Sequence, residues 1–304
     1  MKAPHQFRRF VVFSNLFISF CAALLTAETI FLFGFSCNYH SYDILVFFGT
    51  LFVYTLHYFL KKELTVPDER QTWRKSNKWL FKYILAFSLA GTIVASAMLL
   101  EITSSIRFTA KIFFLFVLLL IGLLSVFYSH PTKLLRDQSL RKFGRFKLLY
   151  LSLIWTVTTG LVPLLLLHGE NGLKINFLHV SIFLFHRLIF IGSIAFLFNI
   201  YDYHEDKESN TNTFAVSWGQ KRSLVVGKWF FLFLNLAASV VFIISFGATT
   251  VFFLIAVFIP VVVVYWLYGK FDPAEPESSF VLRYDGLMII KALLLIFATV
   301  ISKN

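Results

Sequence analysis

Residues 177–199 read FLHVSIFLFHRLIFIGSIAFLFN, and this stretch decides the class of fold to which the chain belongs. About 20 helical residues cross the hydrocarbon core of a bilayer, which is about 30 Å thick. The stretch is long enough to do so, and its only formal charge is on Arg187. A lone strand would leave its backbone donors and acceptors without partners in lipid, so an apolar run of this length has to be helical. The stretch therefore predicts a transmembrane helix.

Eight further apolar runs of similar length lie along the chain of 304 residues, which is 58% hydrophobic and only 14% charged. Soluble domains contain about 45–50% apolar and about 25% charged residues, so this composition excludes a disordered chain, a nucleic-acid-binding arm and a small disulfide scaffold. We predict an all-α, polytopic membrane bundle in which residues 1–304 form a single domain of nine transmembrane helices. The predicted spans are residues 10–34, 42–60, 79–100, 109–128, 148–168, 177–199, 223–246, 248–269 and 284–301.

Lysine and arginine residues indicate how these helices are oriented, because cytoplasmic segments carry an excess of them. With the N-terminus inside, twenty-three of the 28 basic residues fall at inner segments, Lys147 and Lys291 among them, and four fall at outer segments. We therefore predict a cytoplasmic N-terminus, an outer C-terminus and integration into the cytoplasmic (inner) membrane of a bacterium. The long inner loops carry most of the acidic residues, and we expect the polar chemistry there; they are residues 61–78, 129–147, 200–222 and 270–283.

The most specific group of polar residues lies at the inner end of the sixth predicted span. Asn199, Asp202 and Asp206 are spaced three and four residues apart, so they share one face if the helix continues. Two carboxylates and an amide oxygen are hard ligands of the kind that suits Mg²⁺. The spacing therefore favours a magnesium site facing the inner vestibule. The alternative is a solvated helix end whose acids offset neighbouring charges such as Lys207 and Arg222.

The segment NIYDYHED at residues 199–206, with three positions after it, resembles the second aspartate motif of the UbiA superfamily; those positions are Thr213, Ala215 and Gly219. The family consists of intramembrane prenyltransferases that join an isoprenoid diphosphate to an acceptor. The resemblance implies nine spans, an N-terminus that faces inward and a polar site on the cytoplasmic side. It also implies that Asp202 and Asp206 are catalytic, and that with Asn199 they hold Mg²⁺ and the diphosphate.

A second segment, YSHPTK at residues 128–133, is similar to the stretch in which a basic residue of that family faces the diphosphate. Lys133 matches that basic residue. The arginine that follows in the family is replaced by Leu134, and Arg136 is a candidate substitute. The resemblance therefore assigns diphosphate binding to Lys133 and Arg136.

The first aspartate motif of the family has lost its acids in this chain. The best register places His57, Lys61 and Thr65 where Asn, Asp and Asp belong, so we expect fewer Mg²⁺ ions than in typical members. A lysine in place of an aspartate shifts the local charge by two units, and Lys61 is predicted to supply catalytic charge where a metal is missing. Tyr54 and His57, and Asn15 near the inner end of the first span, are predicted to line the substrate site.

Charged residues inside the predicted spans need a separate explanation, because they are costly in lipid and face the bundle interior or one another. Glu28 in the first span and Arg187 in the sixth are predicted to form an ion pair. The alternative is a substrate or ion path that includes His186.

Three hypotheses about function remain open. The first is a divergent prenyltransferase that takes a prenyl diphosphate and a lipophilic, for example aromatic, acceptor from the bilayer. The second is a protein of the same fold that binds an isoprenoid or lipid without turnover. The third is a transporter, which ranks last because the spans contain few Gly and Pro breaks. None of the three predicts a nucleic-acid partner, and no protein partner is indicated.

Overall fold

The computed structural model describes residues 2–34, 40–60, 68–102, 144–171, 176–247 and 250–303, with isolated helical positions between residues 112 and 123. Within these residues every regular element is a helix, which confirms the predicted all-α class. In chain order we label them α1 (Lys2–Phe13), α2 (Leu16–Leu32), α3 (His40–Leu60), α4 (Glu69–Ser76), α5 (Lys78–Ile102), α6 (Phe146–Thr156), a π-helical turn (Val157–Leu161), α7 (Val162–Asn171), α8 (Phe177–Tyr201), α9 (Tyr203–Glu208), α10 (Phe214–Trp218), α11 (Gln220–Phe246), α12 (Val251–Tyr268) and α13 (Glu277–Lys303).

The described residues contain seven helices that are long and apolar enough to cross a membrane, and the chain is an integral membrane protein. The bent pair α1 and α2 makes an eighth span if it is counted as one. The predicted count of nine is therefore not reached in this part of the chain, because the predicted span at residues 109–128 lies almost entirely outside it. The seven are Ser41–Leu60, Lys78–Glu101, Phe146–Leu166, Phe177–Tyr201, Gln220–Phe246, Val251–Tyr268 and Glu277–Ser302.

The first predicted span, residues 10–34, is not one straight helix. α1 and α2 meet at an angle of 62°, and Asn15 between them has a φ of 65°. This left-handed conformation is more accessible to Asn than to most other residues that carry a side chain. The Asn15 Nδ2 donates to Oγ1 of Thr55 at 3.2 Å, and its Oδ1 accepts from Nη1 of Arg70 at 2.9 Å. The apolar pattern runs through the break, so the pattern alone predicts a continuous helix.

The last span begins at Glu277, seven residues before the predicted start at residue 284. The segment ESSFVLR at residues 277–283 looks like the end of a polar loop in the sequence. In the structure it forms two further helical turns that bury Phe280 and Val281 against the rest of the bundle. The predicted inner loop 270–283 is correspondingly shorter.

The long helices pack as neighbours in the order α5, α3, α2, α13, α12, α11, α8 and α6. α2 also contacts the π-helical turn that follows α6. Six helices therefore close into a ring, in the packing order α2, α13, α12, α11, α8 and α6. α8 is apolar on all sides and buried along most of its length, as expected for a helix inside a bundle. α11 approaches α8 closely at Gly227, where an added Cβ would overlap the ring of Phe196.

A cluster of charged side chains lies in the interior of the bundle. The Glu28 Oε1 lies 3.1 Å from Nη2 of Arg187, so the predicted ion pair is confirmed. Lys291 is an unforeseen third member, because its Nζ lies 2.5 Å from the same oxygen. From the charge distribution Lys291 is predicted to be a cation of an inner segment that sets topology. In the structure it is buried within α13, since the carboxylate of Glu28 stabilises its charge there.

The π-helical turn provides a further partner for this cluster. The Thr159 carbonyl accepts from Nη1 of Arg187 at 2.6 Å and from Oγ1 of Thr29 at 2.7 Å. Carbonyls in such a wider turn are released from the regular helical ladder and can accept from side chains. The turn thus joins α2, α6 and α8 at the level of the buried charges.

Candidate functional site

A cavity of about 600 Å³ lies among the helices of the bundle, and we call it the central cavity. It is bounded by α2, α3, α6, α8 and α13. Apolar side chains line its depth and polar side chains line one end; examples of the former are Ile18, Leu151, Ile154, Ile194 and Met288, and the polar end contains Arg70, Lys147, Asn199 and Asp202. Its volume lies in the range of sites that bind small molecules and cofactors, about 300–1,000 Å³.

The polar end of the central cavity is formed where α8 stops. α8 ends at Tyr201, and Asp202 lies between α8 and α9. The Asp202 N–H donates to the carbonyl of Phe198 at 2.8 Å, and the Asp206 N–H donates to the carbonyl of Asp202 at 2.9 Å. The helix is interrupted at Asp202, but these two bonds keep the chain close to a helical course, so that Asn199, Asp202 and Asp206 follow one another where α8 ends and α9 begins.

Lys147, at the start of α6, occupies the space between the two carboxylates. The Lys147 Nζ lies 3.0 Å from Oδ2 of Asp202 and 3.1 Å from each carboxylate oxygen of Asp206. The Asp206 side chain is 1% exposed, whereas that of Asp202 is 26% exposed. In the sequence Lys147 is one of the cations at the end of a predicted inner loop, with no predicted role in the site. One feature of the sequence does indicate that Lys147 could reach the site. It lies at the inner end of a predicted span, as Asp202 does, so the two residues are expected at the same depth relative to the membrane.

Asn199 is buried in the wall of the central cavity, with 2% of its surface exposed. Neither its Oδ1 nor its Nδ2 has a hydrogen-bond partner among the described residues. A buried amide without partners costs about 1–3 kcal/mol, so such a group indicates a place where a ligand or ion supplies the missing bonds.

Arg70 lines the same end of the cavity from α4. Its Nε donates to Oε1 of Glu277 at 2.6 Å, and its guanidinium carbon lies 4.1 Å from the ring centre of Tyr58. Burial lowers the pKa of Arg70, but the neighbouring Glu277 carboxylate outweighs burial and raises it above its ordinary value. Arg70 therefore keeps its charge while it ties α4 to α13 and to Asn15.

Glu69, the neighbour of Arg70, also lines the cavity and joins α4 to α1 and α13. Its Oε1 accepts from Nε of Arg9 at 2.6 Å, and its Oε2 accepts from the N–H of Ser278 at 3.2 Å. Burial raises the pKa of Glu69, but the hydrogen bonds from Arg9 and Ser278 hold it below its ordinary value. This carboxylate therefore fastens the first and last spans to α4 at the polar end of the cavity.

The other predicted site residues fall into two groups. Asn15, Tyr54 and His57 line the central cavity, and the Tyr54 hydroxyl accepts from Nε1 of Trp155 at 3.2 Å. Lys61, Lys133 and Arg136 lie outside the described residues, so their predicted roles stay predictions.

The donor set at the polar end fits one hard cation. Asp202 offers a partly exposed carboxylate, and Asn199, one helical turn away, offers an amide oxygen without a partner. Oxygen ligands of these two types suit Mg²⁺, which retains several waters or phosphate oxygens in addition. Among the described residues no group of three or more His, Cys, Asp or Glu side chains is arranged to hold a metal. The fit is therefore to a single, open site.

Comparison with solved structures identifies the fold. The chain is similar to the apo structure of a UbiA homolog from Aeropyrum pernix K1, with a TM-score of 0.57, 11% sequence identity and coverage of 94% of this chain and 97% of that one. It also matches a structure of digeranylgeranylglyceryl phosphate synthase, with a TM-score of 0.48, 14% identity and coverage of 99% and 98%. No family model and no curated protein matches the sequence.

These features define an intramembrane helical protein with a central cavity that is polar at one end. The chain has the UbiA fold, so the resemblance of its sequence to the UbiA superfamily is confirmed at the level of the fold.

Proposed function

We propose that this protein is a divergent intramembrane prenyltransferase, which transfers an isoprenoid from a prenyl diphosphate to a lipophilic acceptor such as an aromatic ring. One observation carries the proposal: the central cavity is apolar in its depth and ends at Lys147, Asn199 and Asp202. A prenyl diphosphate has the same division, with a long apolar chain and a charged head. The cavity thus suits both parts of such a donor.

The polar end supplies what the reaction needs. When the bond between the allylic carbon and the diphosphate oxygen breaks, negative charge develops on the leaving group, and fixed cations placed there lower the barrier. Lys147 provides an ammonium at this position, and Asn199 and Asp202 would hold Mg²⁺, which supplies further positive charge to the phosphate oxygens. From the resemblance we add Lys133 and Arg136 as further candidates for diphosphate binding, and we keep Lys61 as a candidate for catalytic charge in place of a missing metal ion.

The apolar depth of the cavity has a second task. A carbocation formed from the donor reacts with water, so the walls of the cavity have to exclude water. Aliphatic residues of α2, α6 and α8 form these walls, and the rings of Tyr54 and Trp155 lie among them. Aromatic faces stabilise cations by about 0.5–2 kcal/mol, so these two rings would stabilise the carbocation while it waits for the acceptor.

We infer the orientation of the site from the distribution of basic residues. The polar end lies at the level of α4, α9 and the start of α13, all in segments predicted to be cytoplasmic. A water-soluble diphosphate head would then enter from the cytoplasm, and the acceptor would enter from the bilayer.

The proposal is tested by release of inorganic diphosphate. The protein is placed in lipid nanodiscs with Mg²⁺, labelled geranyl, farnesyl or geranylgeranyl diphosphate, and a membrane lipid extract as the source of acceptor. We expect diphosphate release by the natural protein, loss of at least about tenfold in Asp202→Asn, and little change in Lys228→Gln. Lys228 is a suitable control because it lies over the rings of Trp229 and Tyr265, away from the cavity. Absence of release from every donor would contradict the proposal.

The second candidate is a protein that binds an isoprenoid without turnover. It is favoured by the contact of Lys147 with both carboxylates, which lowers their capacity for metal ions. Saturable binding of a prenyl diphosphate without release of diphosphate would identify this function.

The transporter hypothesis is weaker than either. The break between α1 and α2 at Asn15 supports it, because transporters contain discontinuous helices. Against it, Glu28 and Arg187 are completely buried, contact each other and do not line the central cavity. His186 is likewise buried beside them, with its Nε2 at 3.3 Å from Oγ of Ser239. These residues form a closed cluster and not the wall of a path.

A further inference from the structure

The two acidic residues of the second motif are not equivalent in the structure. Asp202 lines the central cavity, whereas Asp206 does not and is buried behind Lys147. Both carboxylate oxygens of Asp206 lie 3.1 Å from Nζ of Lys147. Sequence spacing alone treats the two residues as a matched pair of metal ligands.

The bonds of Lys147 indicate how this difference arises. A lysine ammonium has three hydrogens to donate, and Nζ of Lys147 lies within hydrogen-bonding distance of both carboxylate oxygens of Asp206 and of one oxygen of Asp202. Charge-assisted bonds of this kind are stronger than neutral ones, and a buried ion pair is costly to break from one side. Asp206 therefore anchors the ammonium, and Asp202 is the member of the pair that remains partly exposed.

We propose that the ammonium of Lys147 occupies the position between Asp202 and Asp206 that a divalent cation would otherwise take. In this arrangement Asp206 is a positioning residue for Lys147, and the remaining metal site consists of Asp202 and Asn199. The inference deepens the proposed function, since it concerns the same site, and it predicts a donor site that works with one metal ion and one fixed ammonium.

The formal charges support this assignment. Lys147, Asp202 and Asp206 together carry a formal charge of −1. One Mg²⁺ at Asp202 and Asn199 would change the sum over these three residues to +1, whereas without Lys147 the same ion would only bring it from −2 to 0. Within this group the ammonium therefore supplies positive charge that a second ion would otherwise bring.

The first experiment measures Mn²⁺ binding to the protein in nanodiscs by electron paramagnetic resonance, with no substrate present. We expect Lys147→Gln to bind Mn²⁺ at least about tenfold more tightly than the natural protein, because the ammonium no longer competes with the metal for the two carboxylates. The double variant Lys147→Gln/Asp206→Asn should lose this gain, and Lys228→Gln should bind as the natural protein does. Equal affinity of Lys147→Gln and the natural protein would overturn the proposal.

A second measurement covers the case in which Lys147→Gln is unstable. If the metal takes the place of the ammonium, Mn²⁺ should restore the melting temperature and yield of this variant relative to EDTA. The double variant Lys147→Gln/Asp206→Asn should depend less on metal for its stability, since residue 206 then carries no charge that has lost the Lys147 ammonium. A loss of stability in Lys147→Gln that Mn²⁺ does not restore would contradict the proposal.

The stoichiometry of the donor complex separates this inference from the proposed function. With a non-hydrolysable prenyl thiolodiphosphate, we expect one Mn²⁺ per natural protein and two per Lys147→Gln. Equal stoichiometry would overturn the one-ion assignment. If metal binding shifts as expected but no diphosphate is ever released from a prenyl diphosphate, the assignment of Lys147 holds and the transferase proposal fails.

Discussion

Glu28 of α2 and Arg187 of α8 form an ion pair of 3.1 Å in the interior of the bundle, and both side chains are completely buried. Lys291 of α13 shares the same carboxylate oxygen. One carboxylate therefore joins three helices that are distant in the sequence. Because buried charges are tolerated only when they are paired, this cluster holds α2, α8 and α13 in one arrangement.

We predict that Glu28→Gln is strongly destabilising. The substitution leaves Arg187 and Lys291 buried without their carboxylate, which costs about 3–5 kcal/mol when one partner of a buried pair is removed. Thermal unfolding in detergent should show a lower midpoint than that of the natural protein. The double variant Glu28→Gln/Lys291→Met removes one orphaned cation and should recover part of the loss. A single variant as stable as the natural protein would show that the cluster does not stabilise the bundle.

The contribution of Glu69 to stability should depend on pH. Since Arg9 and Ser278 hold its pKa below the ordinary value of 4.5, the folded protein favours the ionised carboxylate. Its contribution is therefore complete above about pH 4.5 and is lost as the pH falls through the lowered pKa. The difference in unfolding midpoint between the natural protein and Glu69→Gln should be largest near neutral pH and shrink on acidification. A difference that grows in acid would contradict the assignment.

Gly227 should be sensitive to any side chain. A Cβ at this position would overlap the ring of Phe196, and extra atoms in a packed interior cost about 1–3 kcal/mol. Gly227→Ala should lower the unfolding midpoint, and the double variant Gly227→Ala/Phe196→Leu should restore most of it. Gly49→Ala is the matched control, because nothing lies within 4 Å of its added Cβ and a helix gains about 0.5–1 kcal/mol from Ala.

Asn15 has two separable roles, one in the backbone and one in the side chain. Asn15→Gly keeps the left-handed conformation available and removes the amide, so it should lose only the bonds to Thr55 and Arg70. Asn15→Ala loses the same bonds and also disfavours the left-handed backbone conformation, which costs a further ~1–2 kcal/mol in the free energy of unfolding. We expect unfolding midpoints in the order natural protein, Asn15→Gly, Asn15→Ala. Equal stability of the two variants would show that the backbone conformation contributes nothing.

Much of this protein is determined by local properties of its sequence. Runs of about 20 apolar residues have to be helical in lipid, because no other arrangement of a single segment pairs its backbone groups there. The ion pair of Glu28 with Arg187 was predictable for a related reason, since a charge in lipid requires a partner. Helical spacing alone predicts that Asn199 and Asp202 lie together, and both line the central cavity.

The tertiary structure decided which partners these residues have. Lys147 contacts Asp206 across 59 residues of sequence, and Lys291 contacts Glu28 across 263. Both lysines resemble ordinary topology-setting cations in the sequence, because the positive-inside pattern counts charges and is blind to which carboxylate each one meets. Helix packing brings the ammonium of Lys147 between two acids that spacing alone would assign to a metal ion. That contact, which no local pattern encodes, sets the charge at the end of the cavity.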